Sequence, residues 1–119
     1  MIQLKKFEEK SDNLKSVDNL IRQAYNQYKP RIIVLPEVFN CTYGTAHFEK
    51  NSEYIPTGTT SVFLANLAKE LQIYLVGGSF IEIDQDDKTK LYNTIPVFSP
   101  SGELIARHRK VCDIVFFFF

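Results

Sequence analysis

The 119-residue sequence predicts an α/β protein built on a mixed sheet, parallel in its first half, with two helices on one face. Three observations carry that prediction. A strand, a helix and a second strand fit within about thirty-five residues, the length of one βαβ unit. A second helical pattern then leads into Ile73-Tyr74-Leu75-Val76, a continuous apolar run of the kind a strand covered on both faces shows. From Ile81 onward the pattern turns to alternation broken by polar turns, the signature of antiparallel hairpins.

The elements follow in order. Ile2 and Leu4 alternate like the stub of a first or edge strand. Ser11 or Asp12 can cap a helix whose apolar stripe is Leu14, Val17, Leu20, Ile21, Ala24 and Tyr28. Lys29-Pro30 ends it, because proline disfavours helix at the residue before it. Ile32 to Leu35 is a short buried strand, stopped by Pro36, which has no N–H to give a ladder. Residues 40–58 show no clear period and form a long connection, a common place for function. The next helix starts near Thr60-Ser61, with Phe63, Leu64, Leu67, Ala68 and Leu71 on one face. A strand over 73–80, a polar turn over 85–90, a strand over 91–98, a tight turn at Ser99-Pro100-Ser101-Gly102 and a strand over 103–111 complete the reading. The run Val115-Phe116-Phe117-Phe118-Phe119 has no gatekeeper charge and resembles an aggregation-prone segment, an aberrant apolar tail.

Composition narrows the function classes. Hydrophobic content of 45% and charged content of 24% are those of an ordinary globular domain. A formal net charge of +0 supplies no field to steer the chain to nucleic acid or to an anionic membrane. No stretch approaches the ~20 apolar residues of a membrane span, and the N-terminus has no signal or transit character. The expectation is a cytoplasmic domain without nucleic-acid or membrane partners. Two cysteines, Cys41 and Cys112, make no disulfide framework. The histidines His47 and His108 lack metal-ligand spacing, so no metal site is expected. Gly77-Gly78 follows a strand but lacks the rest of a phosphate loop.

The strongest acid/base candidate is Glu37, set just past the end of an apolar strand, where α/β folds place ligands and catalytic groups. Dry surroundings there would raise its carboxyl pKa toward the range of a general base. The alternative is a solvated turn carboxylate. The second candidate is Lys110, in the basic run Arg107-His108-Arg109-Lys110. Such a run is commonly a solvated face or a phosphate contact. Strand alternation sends His108 and Lys110 to one face and Arg107 and Arg109 to the other, and an inward lysine needs an anion. Glu37 is that anion only if the fold joins the two strand ends.

The string Leu35-Pro36-Glu37-Val38-Phe39-Asn40 with Tyr43-Gly44 resembles the glutamate motif of the nitrilase superfamily, the carbon–nitrogen hydrolases. Tyr74-Leu75-Val76-Gly77-Gly78-Ser79, Leu91-Tyr92-Asn93-Thr94, Val97-Phe98-Ser99-Pro100-Ser101-Gly102 and Arg109-Lys110-Val111 look like the segments that follow in that family, in the same order. Each string alone is weak; the ordered set is strong. Within the superfamily the closest likeness is to omega-amidases, which hydrolyse the distal amide of α-keto acids such as α-ketoglutaramate.

The resemblance implies an α-β-β-α sandwich, of which this chain supplies the N-terminal half, with 1–114 a partial carbon–nitrogen hydrolase domain and 115–119 outside it. It implies that Glu37 is the general base, that Lys110 stabilises the tetrahedral intermediate and that Tyr43 lies near the substrate pocket, a packing role being the alternative for Tyr43. It implies no cofactor. The family's nucleophile is a cysteine on a later strand, so the chain is expected to be truncated and inactive by itself. Cys112 shares a strand face with Lys110 but reads as an ordinary thiol rather than a substitute nucleophile, and Cys41 as a small packed residue. The implied partners are a small-molecule amide for the complete domain and, for a half-sandwich, a second copy of the chain or a full-length relative.

Overall fold

A computed structural model describes residues 4–110 of the chain. Ile2, Cys112 and the apolar run 115–119 lie outside the described residues. Leu4 is not in a strand; it packs against the core instead.

Helix α1 spans Lys10–Tyr28. Its start is not capped by Ser11 or Asp12: Glu9 occupies the cap position without a side-chain bond. Asn13 closes the entry turn from inside the helix. Its Oδ1 accepts from Phe7 N at 2.8 Å, and its Nδ2 donates to the carbonyls of Phe7 at 2.8 Å and Glu9 at 3.1 Å. A buried amide making this many bonds satisfies the orphan groups that a hydroxyl or carboxylate cap would otherwise meet. At the far end Lys29 turns left-handed at φ 46 and donates to Tyr25 O, and Pro30 prevents any further turn.

The sheet is mixed. Strand β1, Ile32–Val34, pairs in parallel with β2, Tyr74–Val76, with Ile33 opposite Leu75. The crossover between them holds a short helix α2, Thr45–Asn51, and a longer one, α3, Thr59–Leu71. Helix α2 falls inside the connection expected to lack a period; seven residues are too few for a stripe to show. Strand β3, Phe80–Ile83, and β4, Leu91–Phe98, are antiparallel, and β5, Leu104–Arg109, pairs antiparallel with β4. Thr94 pairs with both Phe80 and Arg109, and Val97 with both Val76 and Ala106. Strands β2 and β3 therefore lie end to end along one side of β4, with β5 on its other side.

The single strand expected over 73–80 is thus two strands with a break at Gly77, Gly78 and Ser79. Gly78 sits at φ +57, and a Cβ there would run into the Pro36 carbonyl. The break exists because another backbone crosses it closely, which only glycine allows.

Helices α1 and α3 cover one sheet face. Val17, Ile21, Leu64, Leu67 and Ala68 meet Ile33, Leu35, Leu75, Phe80 and Phe98 there. Full burial of a side chain such as Ile21, Leu64 or Leu75 stabilises by about 1.5–3 kcal/mol. The opposite face is open at β1 and β2. Ile32 and Val34 are each 58% exposed and Tyr74 is 40% exposed, so β1, expected to be buried, and β2, expected to be covered on both faces, are each covered on one side only. Helices α1 and α3 sit on one face; the other is covered at β3, where Ile81 packs with Val38, Cys41 and, from α2, Phe48, and is open at β1 and β2.

Candidate active site

The carboxylate arm is built from the end of β1. Leu35 N still donates to Val76 O at 3.0 Å, so the ladder continues one residue beyond the strand. The chain then turns under the β2–β3 break. Ser79 N donates to Pro36 O at 3.4 Å, Val38 N donates to Ser79 Oγ at 3.0 Å, and Phe39 N donates to Ser79 O at 3.3 Å. Val38 is held at φ 47, a conformation that a β-branched residue adopts only when its surroundings impose it. Its buried side chain and the Ser79 bonds impose it here. Glu37 is thereby projected from a turn pinned on both sides.

The connection beyond is anchored as firmly. Asn40 O accepts from Asn13 Nδ2 at 3.2 Å, and Asn40 Nδ2 donates to Thr60 Oγ1 at 3.1 Å. The Glu53 carboxylate accepts from Thr60 N at 2.8 Å at the start of α3 and from Lys10 Nζ at 3.2 Å. An anion at a helix start complements its free N–H groups.

The ammonium arm comes from the other end of the sheet. Arg107 and Arg109 point to the helix side and engage Glu82, which is fully buried on β3: Arg107 Nη1 lies 2.9 Å from Oε1, and Arg109 Nε lies 3.0 Å from Oε2. Thr94 Oγ1 adds a bond to Glu82 Oε2 at 2.6 Å. Period-two alternation then puts Lys110 on the opposite side, and its N–H donates to Asn93 O at 2.8 Å. Lys110 Nζ reaches Glu37 Oε1 at 2.7 Å, and Asn93 Nδ2 reaches the same oxygen at 2.8 Å. The fold therefore joins two strand ends that lie 73 residues apart in sequence.

Glu37 is not dry: its side chain is 45% exposed. Nor is its pKa raised. The Lys110 ammonium, then Asn93 and, more weakly, the Tyr43 hydroxyl hold the carboxyl below its ordinary value, outweighing the upward push of partial burial. Hydrogen bonds and an opposite charge favour the ionised form, and here they win over desolvation. Tyr43 stands beside this pair, 55% exposed, its ring edge-on to Phe48 at 5.8 Å. Burial, and then the Glu37 charge, push its phenol pKa up, so it remains a donor.

Cys41 is fully buried among Val38, Phe48 and Ile81, and burial pushes its thiol pKa up. It is a packed residue, inaccessible to a substrate carbonyl. Cys112 lies outside the described residues. Among the described residues no cluster of His, Cys, Asp or Glu could hold a metal ion, and no helix is long and apolar enough to cross a membrane.

Two contributors escaped the sequence reading. Asn93 was visible only as a motif letter, although its place opposite Ile81 on β4 sets its amide beside Glu37. Ser79, read only as part of a glycine-rich string, holds the turn that carries Glu37.

A mixed sheet with two helices on one face and a carboxylate–ammonium pair across two strand ends defines the class: an α/β domain of the nitrilase superfamily. The chain belongs to the carbon–nitrogen hydrolase family, whose profile matches residues 1–113. It is 46% identical over 111 residues to mouse omega-amidase NIT2, covering 93% of this chain and 38% of that protein. It is 44% identical over 111 residues to human omega-amidase NIT2, with the same coverage of 93% and 38%. Among solved structures, Saccharomyces cerevisiae Nit3, of branch 10 of the nitrilase superfamily, superposes with a TM-score of 0.81 at 38% identity, covering 90% of this chain and 41% of that one. The chain thus spans 38% of the length of the mouse and human relatives.

Proposed function

We propose that this chain carries the base and oxyanion-stabilising side of an omega-amidase-type site, which hydrolyses the distal amide of α-keto acid amides such as α-ketoglutaramate. The observation that supports this most is the 2.7 Å contact between Lys110 Nζ and Glu37 Oε1. Lys110 and Asn93 both donate to Oε1.

In this reading Glu37 takes the proton of a thiol supplied by a part of the domain beyond these 119 residues. The thiolate attacks the amide carbon, and Lys110 stabilises the negative charge that develops on the carbonyl oxygen. The C–N bond breaks, ammonia leaves with the proton held by Glu37, and water cleaves the thioester. Tyr43 borders the pocket. Among the described residues the only cysteine, Cys41, is sealed in the interior, so they do not supply the accessible thiol that an acyl-enzyme needs. The test is ammonia release from α-ketoglutaramate. The chain alone should release none, and a chain extended to the length of its relatives should release it and lose that activity in Glu37→Gln. Turnover by the 119-residue chain, or an active Glu37→Gln in the extended one, would overturn the reading.

The open apolar face formed by Ile32, Val34 and Tyr74 favours a second reading, in which this chain associates with a second copy or with a full-length relative. Sedimentation of the chain alone and mixed with such a relative tests it.

A further inference from the structure

Lys6 belongs to no motif in the sequence, yet its ammonium lies over the Tyr43 ring, 4.0 Å from the centroid. Tyr43 is gripped from a second direction by Phe48, edge to ring. Lys6 is brought there by the segment ahead of α1, which Asn13 fastens at Phe7 and which Thr42 Oγ1 also meets, at Phe7 O, 3.3 Å away. The N-terminal segment is thus tied to the same connection that carries Tyr43.

We propose that Lys6 is a positioning residue for Glu37, acting by holding the Tyr43 ring so that its hydroxyl stays turned to the carboxylate. A cation over an aromatic face is attracted to the ring's negative quadrupole. It also draws electron density from the phenol, which makes the hydroxyl a better donor to an ionised acceptor. Partial burial lowers the Lys6 pKa, while the Cys41 and Glu37 charges work the other way. The titratable groups around Glu37 are Lys110 from the end of β5, Tyr43 from the connection and Lys6 from the N-terminal segment; Cys41 neighbours Lys6. Lys110 acts on the carboxylate directly; Lys6 acts through the ring, beside the direct attraction between its charge and that of Glu37.

The proposal rests on Glu37 as the proton acceptor, but its test needs no turnover. The Glu37 carboxyl is titrated by carbon-detected NMR in the 119-residue chain and in Lys6→Met, Lys6→Arg, Tyr43→Phe and the Lys6→Met/Tyr43→Phe pair. Methionine keeps the aliphatic stem and removes the charge; arginine keeps the cation over the ring. The Glu37 pKa is expected to rise by about half a unit in Lys6→Met, the shift a partly exposed cation–π contact can carry. It should return in Lys6→Arg. In the Tyr43→Phe background, Lys6→Met should have a clearly smaller effect, the part its charge exerts on Glu37 directly. An unchanged Glu37 in Lys6→Met overturns the proposal. So does an undiminished rise in the Tyr43→Phe background, which would mean that Lys6 acts through space alone. An extended chain that releases no ammonia would sink the amidase reading and leave this titration untouched. A flat titration would sink the role of Lys6 and leave ammonia release untouched.

Discussion

Arg109 grips Glu82 with two nitrogens, Nε to Oε2 and Nη2 to Oε1, each at 3.0 Å. Glu82 is fully buried, whereas the two arginines that hold it, Arg107 and Arg109, are 38% and 32% exposed. The arginines keep part of their hydration and Glu82 keeps none, so the carboxylate depends on them and on the Thr94 hydroxyl. This pair also fixes which way β5 faces, and therefore where Lys110 points.

Removing one partner of a buried ion pair leaves the other uncompensated, which costs about 3–5 kcal/mol. Because the arginines remain partly hydrated, Glu82→Gln is expected at the lower end, about 3 kcal/mol, read as a fall in the urea midpoint at unchanged slope. A loss under about 1 kcal/mol would mean that the triad contributes little and that β5 is registered by its ladder alone.

Asn93 donates to Glu37 at 2.8 Å, so Asn93→Asp exchanges a donor for a second carboxylate at hydrogen-bond distance. Like charges this close cannot both ionise freely. The pair is expected to titrate with one apparent pKa well above the ordinary carboxylate range, while Asn93→Ala gives a smaller rise through loss of the bond alone. Carboxyl NMR titration of both variants checks the order; equal shifts would show that the charge of the new group is screened by solvent.

The pH dependence follows from the lowered pKa of Glu37, set first by the Lys110 hydrogen bond. A group whose folded pKa lies below its unfolded value contributes stability above the unfolded value and loses it as pH falls through the folded one. The contribution is therefore full above about pH 4.5, the ordinary value, and fades below it. Lys110→Met should flatten the stability loss in that acid window by lowering the neutral end, with the two proteins converging at the acid end; the difference is small, because the pair is half exposed and screened. Thermal midpoints from pH 6 to pH 3 measure this, and parallel curves for the two proteins would refute it.

The period of the sequence revealed what alternation and stripes encode. The Leu14–Val17–Ile21 stripe, the α3 face and the opposite directions of Arg109 and Lys110 all follow from 3.6 and 2.0 repeats. What stayed hidden depends on contacts between distant segments. The break at Gly78 exists because Pro36 passes over it, and Asn13 replaces the expected Ser11 or Asp12 cap because the chain before α1 folds back to it. The pKa of Glu37 was misread for the same reason. An apolar run before a carboxylate suggests burial, but an ammonium 73 residues later decides its ionisation.

The continuous apolar run of β2 suggested cover on both faces and that of β1 a buried strand, and their open face makes a prediction of its own. Ile32 lies opposite Tyr74 and Val34 opposite Val76, so the exposed apolar side chains are paired across the two strands rather than scattered. A contiguous patch of this kind drives association, and β1 lies at the end of the strand order, where an edge can recruit another chain. A lysine at position 34 would place a charge in the middle of that contact. Because Val34 is 58% exposed, the substitution should change folding stability by no more than about 0.5 kcal/mol. Val34→Lys is expected to lower the sedimentation-average mass of the chain toward 13.8 kDa with its thermal midpoint kept. If the mass distribution is the same with and without the lysine, this face does not join copies of the chain. A midpoint that drops with the mass would show that cover of this face is part of what holds β1 in the sheet.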